Sequence, residues 1–122
     1  MPSIAVIGAS SDRNKFGNRC VRAYRQRGYT VYPVHPREAT IEGLPAFRSV
    51  LDVPEDHLDL VSVYLPAALG VKVLDEIARK QVGEVILNPG ADGPEVVARA
   101  KELGLKVAVG CSIVMIGANP HE

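Results

Sequence analysis

Neither sign of charge is in surplus in this chain: 14 Lys and Arg balance 14 Asp and Glu, so the formal net charge is zero. Without a global positive field, recruitment to nucleic acid or to an anionic membrane surface is not expected, and any anion must be caught locally. Long hydrophobic runs are also missing. Apolar residues make up 47% of the chain, yet no run approaches the roughly 20 residues of a membrane span. The first residues lack the charged-then-apolar pattern of a signal peptide, and a soluble cytoplasmic protein is the expectation. Cysteine is scarce, with only Cys20 and Cys111. Their separation fits no metal-ligand pair, so reduced, structural thiols are expected rather than a disulfide framework. With 122 residues, the expectation is a single domain over 1–122, with one core and no room for a cofactor domain beside a substrate domain.

What is present begins at the first apolar run. Ile4-Ala5-Val6-Ile7 leads directly into Gly8-Ala9-Ser10-Ser11, and a helical pattern follows from Phe16. Strand, small-residue turn and helix form an arrangement that holds phosphate: glycine lets the backbone approach an anion, and the free amides of the helix supply donors. Standard phosphate motifs are incomplete here. A dinucleotide fingerprint has Gly where this chain has Ser10 and Arg13, and Gly17 falls late; a Walker-type loop fails because Lys15 is followed by Phe16-Gly17. The turn therefore reads either as a phosphate loop of another kind or as a tight strand-to-helix turn with a capping serine.

Beyond it, short apolar runs alternate with amphipathic stretches. A helix is predicted from Phe16 to Arg27, with Phe16, Cys20, Val21 and Tyr24 on one side and Arg19, Arg22, Arg25 and Arg27 around the other. Strands are predicted at 4–7, 29–34, 59–65, 84–87 and 105–109, and helices at 67–81, closed by Val82-Gly83, and at 94–103. A turn-rich excursion through Glu42-Gly43-Leu44-Pro45 and a short helical segment near 47–51 separate the second and third strands. The run Gly110–Gly117 fits no element, and is expected on the sheet edge or against a second subunit. Such alternation predicts a doubly wound α/β domain, a parallel sheet of about five strands between two helical layers. Ligands of such sheets bind beyond the carboxyl ends of the strands, where strand order reverses.

The tip of the second strand narrows the choice of ligand. Proteins that bind NAD usually carry an acid there, whereas this tip reads Val34-His35-Pro36-Arg37. A cationic Arg37, with Lys15 across the mouth of the sheet, suits a nucleotide with an extra ribose phosphate, which means NADP or coenzyme A. Arg37 equally suits a solvated loop. His35, between prolines, reads as a rigid loop residue.

Four motifs in order carry a resemblance. Gly8-Ala9-Ser10 with Lys15 and Gly17, Tyr32-Pro33-Val34-His35-Pro36, Tyr64-Leu65-Pro66-Ala67 and Asn88-Pro89-Gly90-Ala91 together resemble the stand-alone CoA-binding domain family. The chain is similar, more distantly, to the amino-terminal nucleotide-binding domain of the α subunit of succinyl-CoA synthetase. The resemblance implies a Rossmann-like fold in which Gly8, Ala9, Ser10 and Lys15 face the phosphates. Pro33, Val34, His35 and Pro36 would line the adenine and ribose with Arg37 nearby, Tyr64, Leu65 and Pro66 would form the opposite wall, and Asn88, Pro89, Gly90 and Ala91 would complete the crevice. Where the family often continues with consecutive glutamates, this chain reads Asp92-Gly93-Pro94-Glu95.

No catalytic set is legible. His35, His57 and His121 have no Ser, Cys or Asp spaced like a nucleophile relay, and no cluster has metal-ligand spacing. Cys20 belongs on the apolar side of its helix, while Cys111 follows the last strand at the ligand end, within reach of a pantetheine arm. The expected function is non-covalent binding of coenzyme A or an acyl-CoA, without catalysis by the domain alone. The alternatives are an NADP-binding or CoA-transferring enzyme completed by a partner, and a regulatory docking module. A homodimer or a partner protein is compatible with each.

Overall fold

The computed structural model describes residues 1–121. Five parallel strands form the central sheet: β1 (Ser3–Ile7), β2 (Thr30–Val34), β5 (His57–Val63), β6 (Gln81–Leu87) and β7 (Val107–Val109), in the order β2-β1-β5-β6-β7. A small antiparallel ribbon, β3 (Thr40–Ile41) and β4 (Leu44–Pro45), is a separate ladder beside β2, to which Phe47 bridges at Val34. The strand β1 lies inside the sheet, and every residue in it is apolar or small and buried; Ile4 pairs with Val31 on one side and with Leu60 on the other. Its alternation divides the core. Ile4 and Val6 pack beneath helix α1 (Phe16–Gln26) and the short α4 (Ser112–Met115), whereas Ala5 and Ile7 pack beneath α2 (Ala67–Ile77) and α3 (Pro94–Glu102). The result is a doubly wound, Rossmann-like sheet with helices on both faces.

Several boundaries differ from the sequence expectations. The third major strand is His57–Val63, so Tyr64 and Leu65 leave the sheet and Pro66 stands at the cap of α2. That helix ends at Ile77, and Val82-Gly83 lies inside β6 instead of closing it. The cause is local: the apolar spacing runs out after Ile77, and Lys80 turns away to donate to the carbonyls of Val53 and Glu55 at 2.9 and 2.6 Å. The segment near 47–51 is reduced to one 3-10 turn, Val50–Asp52, with Ser49 Oγ accepting from the Leu51 amide at 3.1 Å. Phe16, expected on the apolar side of α1, is 47% exposed. It opens the helix beyond the strand tips, where no sheet lies beneath it, and Arg19 stacks on its ring at 5.2 Å.

The run Gly110–Gly117 packs within the chain against α1. It forms α4, whose Ile113 is buried against α1, and the Tyr24 hydroxyl donates to Ser112 O at 2.7 Å. Val114 and Met115 are left facing outward.

Candidate functional site

The chain leaves β1 for β2 on one side and later returns to β5 on the other, so strand order reverses at the carboxyl end of β1. A crevice opens there by construction. Gly8 follows β1 and Tyr64 follows β5; the Tyr64 amide donates to Ile7 O at 2.9 Å and the Gly8 amide to Val34 O at 3.2 Å. Gly8 adopts φ +89°, which only glycine takes at little cost. The loop beyond it is organised by its own polar groups. Ser10 Oγ accepts from the Asp12 amide at 3.0 Å, and the buried Asn18 donates through Nδ2 to Ser10 O at 2.8 Å. No side chain caps α1 and its first turn contains no acid. The loop thus delivers uncapped helix amides to the crevice, with Lys15 at the cap position, and this combination favours an anion.

The tip of β2 is tied to this loop. Glu38 accepts hydrogen bonds from the Ser11 hydroxyl and, at 3.1 Å, from the Ser11 amide. These bonds hold the Glu38 carboxyl below its ordinary range. An acid therefore does reach this part of the crevice, from four residues beyond β2, and Ser11 occupies it. His35 is a loop organiser: its Nδ1 accepts from the amides of Arg37 and Glu38, each at 3.0 Å. The exposed side chains of Lys15 and Arg37 form no ion pair among the described residues.

Two apolar clefts flank the meeting point of Gly8 and Tyr64. One, of about 280 Å³, lies on the α2 side between Val34, Pro36, Leu65 and Leu69, with Arg48 and Lys72 also on its wall. The other, of about 220 Å³, lies on the α4 side between Phe16, Tyr64, Pro89, Cys111 and Val114. Cys111 is a half-buried thiol in that second cleft. Cys20 is different in kind, since burial pushes its thiol up to about 12. Burial likewise pushes the Tyr64 phenol upward, and its hydroxyl has no hydrogen-bond partner among the described residues.

The residues singled out in the sequence take different positions around the crevice. Gly8, Val34, Pro36, Tyr64, Leu65 and Pro89 line the clefts. Lys15, Arg37, Pro66 and Gly90 are exposed around them, and Ser10 is half-buried in the loop. Ala9 and Ala91 are buried, so their side chains are core. Pro33 lies within β2 and offers its carbonyl to the Phe47 amide at 2.9 Å. Asn88 is fully buried and spends its side chain on the scaffold: Nδ2 donates to Ser62 Oγ at 2.8 Å and to Val63 O at 2.9 Å, while Oδ1 accepts from the Ser112 amide at 2.8 Å. It fixes β6, β5 and α4 relative to one another beneath the crevice.

Site residues outside the predicted set are Gly17, Asn18, Glu38, Arg48 and Lys72. A Cβ on Gly17 would lie 2.3 Å from Gly8 O, so Gly17 permits the close helix-to-loop contact that the third glycine of a dinucleotide fingerprint provides. Its place in the first motif was the available signal; the longer loop hid the equivalence.

A family model described as "CoA binding domain" matches residues 2–117. The chain belongs to this CoA-binding domain family. It is 37% identical over 119 residues to the ADP-forming acetate–CoA ligase I of Archaeoglobus fulgidus, covering 95% of this chain and 17% of that enzyme. A solved Thermus thermophilus structure superposes with a TM-score of 0.86 at 32% identity, covering 95% of this chain and 88% of that one. A conserved hypothetical protein of Pyrococcus furiosus gives 0.83 at 27% identity, covering 97% of this chain and 100% of that one. The CoA-binding domain thus corresponds to about a sixth of the first ligase and to the whole of the last chain.

Proposed function

We propose that the chain binds coenzyme A or an acyl-CoA non-covalently, in the cytoplasm, with the ligand extended across the Gly8–Tyr64 contact. The observation that carries this reading is the pairing of two apolar clefts on either side of an uncapped glycine turn. Coenzyme A has the matching order of parts, with an adenosine at one end, a diphosphate between, and a pantetheine arm at the other. The adenine and ribose occupy the cleft beside Val34, Pro36 and Leu65, where Arg37, Arg48 and Lys72 supply cations for the ribose phosphate. The diphosphate lies over Gly8–Ser11 and the first turn of α1 near Lys15. The pantetheine arm runs over Tyr64 and Pro89 toward Cys111. The match of a family model described as a CoA binding domain to residues 2–117 supports the same reading.

Thermal stability measured with CoA, acetyl-CoA, NADP, NAD and ADP tests the reading, because a ligand specific for the folded state raises apparent stability by mass action. CoA and acetyl-CoA are expected to stabilise and NADP is not. Stabilisation by NADP without CoA would overturn the assignment, and indifference to every nucleotide would favour a docking module.

A further inference from the structure

Half of the positive charge of this chain lies in one stretch. Seven of the 14 cationic residues fall between Arg13 and Arg37, and no acid interrupts them. Folding gathers this charge further, because α1 turns Cys20, Val21 and Tyr24 inward and leaves its arginines on the other sides. Between this outer surface and the segment Gly117–Asn119 lies a cavity of about 250 Å³, lined by Arg19, Arg22, Arg27, Gln26 and Asn119. Among the described residues none of its lining is acidic, and none belongs to the loop Gly8–Lys15 or to the two clefts.

The three arginines are held in place by neutral acceptors. Arg19 Nη1 donates to Pro120 O at 2.7 Å, Arg22 Nε to Asn18 Oδ1 at 2.8 Å, and Arg27 Nε to Ile116 O at 3.2 Å. Their positions are set, and among the described residues none of the three forms an ion pair. The nearby acid Glu42 pairs with Arg13 at 3.4 Å instead. Converging like charges around a concave polar site are stabilised by an anion, and arginine forks match phosphate oxygens in pairs.

We propose that this cavity is a second ligand site, separate from the crevice at the strand tips, for a compact polyanion of the phosphate class such as a diphosphate. Its size and surroundings define the class. No aromatic residue lines the cavity to stack a base, which disfavours single-stranded nucleic acid. Outside the basic stretch the remaining 7 cations face 14 acids. A long polyanion leaving the cavity would meet that excess, whereas a compact one would not.

The test is a titration of the isotope-labelled full chain with pyrophosphate, followed by amide NMR at about 150 mM salt, where diffuse surface attraction is screened. Saturable shifts are expected in Arg19–Arg27 and Gly117–Asn119. Arg22→Gln and Arg27→Gln should each weaken the binding reported by these amides about tenfold, as loss of a charge-assisted donor implies, while in Lys15→Ala the shifts of Arg19–Arg27 and Gly117–Asn119 persist. Should Arg22→Gln unfold the helix end, Arg27→Gln decides alone, since it removes one bond to Ile116 O. Absence of saturable shifts, or shifts confined to Gly8–Lys15 and abolished by Lys15→Ala, would overturn the proposal. So would tighter binding of a single-stranded oligonucleotide through the same amides.

Discussion

Gly8 and Tyr64 are in such close contact that a Cβ on Gly8 would lie 2.5 Å from Tyr64 O. The two strands that bound the crevice therefore meet through bare backbone, and only glycine satisfies both this distance and the φ of +89°. Gly8→Ala is expected to lower unfolding free energy by about 1–3 kcal/mol from overpacking. A left-handed residue with a Cβ adds roughly 1–2 kcal/mol. Urea unfolding measures the sum, and a change below about 0.5 kcal/mol, the size of a neutral surface substitution, would refute the contact.

Lys15 and Arg37 should separate binding from stability. Each is exposed and lies outside the ion pairs of the described residues, so replacement by Ala should leave the melting temperature nearly unchanged. If each contacts a phosphate, CoA affinity falls by about 1–3 kcal/mol as a charge-assisted donor is lost. Calorimetric titration checks this, and unchanged affinity in both variants would remove them from the site.

Asn88 should behave in the opposite way. Its side chain satisfies Ser62, Val63 and the Ser112 amide in a buried setting. Asn88→Ala leaves several of these groups unpaired, at about 1–3 kcal/mol for each one that water cannot reach. Chemical denaturation should show a large loss of stability. A loss below about 1 kcal/mol would mean that water takes over these partners.

Acid should loosen the loop through Glu38. Its folded value is depressed, first by the Ser11 hydroxyl, from an ordinary value of 4.5. A depressed carboxyl contributes stability that is fully present above the unfolded value and is lost as pH falls through the folded one. Wild type should therefore exceed Glu38→Gln in melting temperature at pH 6, and the gap should narrow as pH falls below the ordinary value of 4.5 and close once pH is below the depressed folded value. A gap independent of pH would show that the carboxylate charge is not involved.

Thiol labelling should distinguish the two cysteines. With its thiol pushed up to about 12 by burial, Cys20 should resist iodoacetamide at pH 8, while half-buried Cys111 is modified. Mass spectrometry should find one adduct on the native chain and two in denaturant. Modification of Cys20 in the native state would contradict its burial.

Much of the fold was legible because burial on both faces writes continuous apolar runs such as Ile4–Ile7, and because Gly28 and Gly104 mark helix ends. The start of β6 was not. Gln81, Val82, Glu84 and their neighbours mix polar and apolar residues at the sheet margin, and a helical pattern upstream runs into them. The site was legible in its backbone motifs, since Gly8, Pro36, Tyr64 and Pro89 each sit where a strand ends. It was less legible in side chains that act from a distance. Asn88 and Asn18 face inward and hold the crevice together, and Arg48 and Lys72 reach it from elements whose packing no local spacing encodes.

The central claim is that CoA lies across the Gly8–Tyr64 contact, and amide NMR with CoA tests it most directly. Saturable shifts are predicted in Gly8–Lys15, in Tyr64 and Leu65, and in Gly90. Saturable binding without shifts in Gly8–Lys15, or no binding where NADP binds, would contradict it.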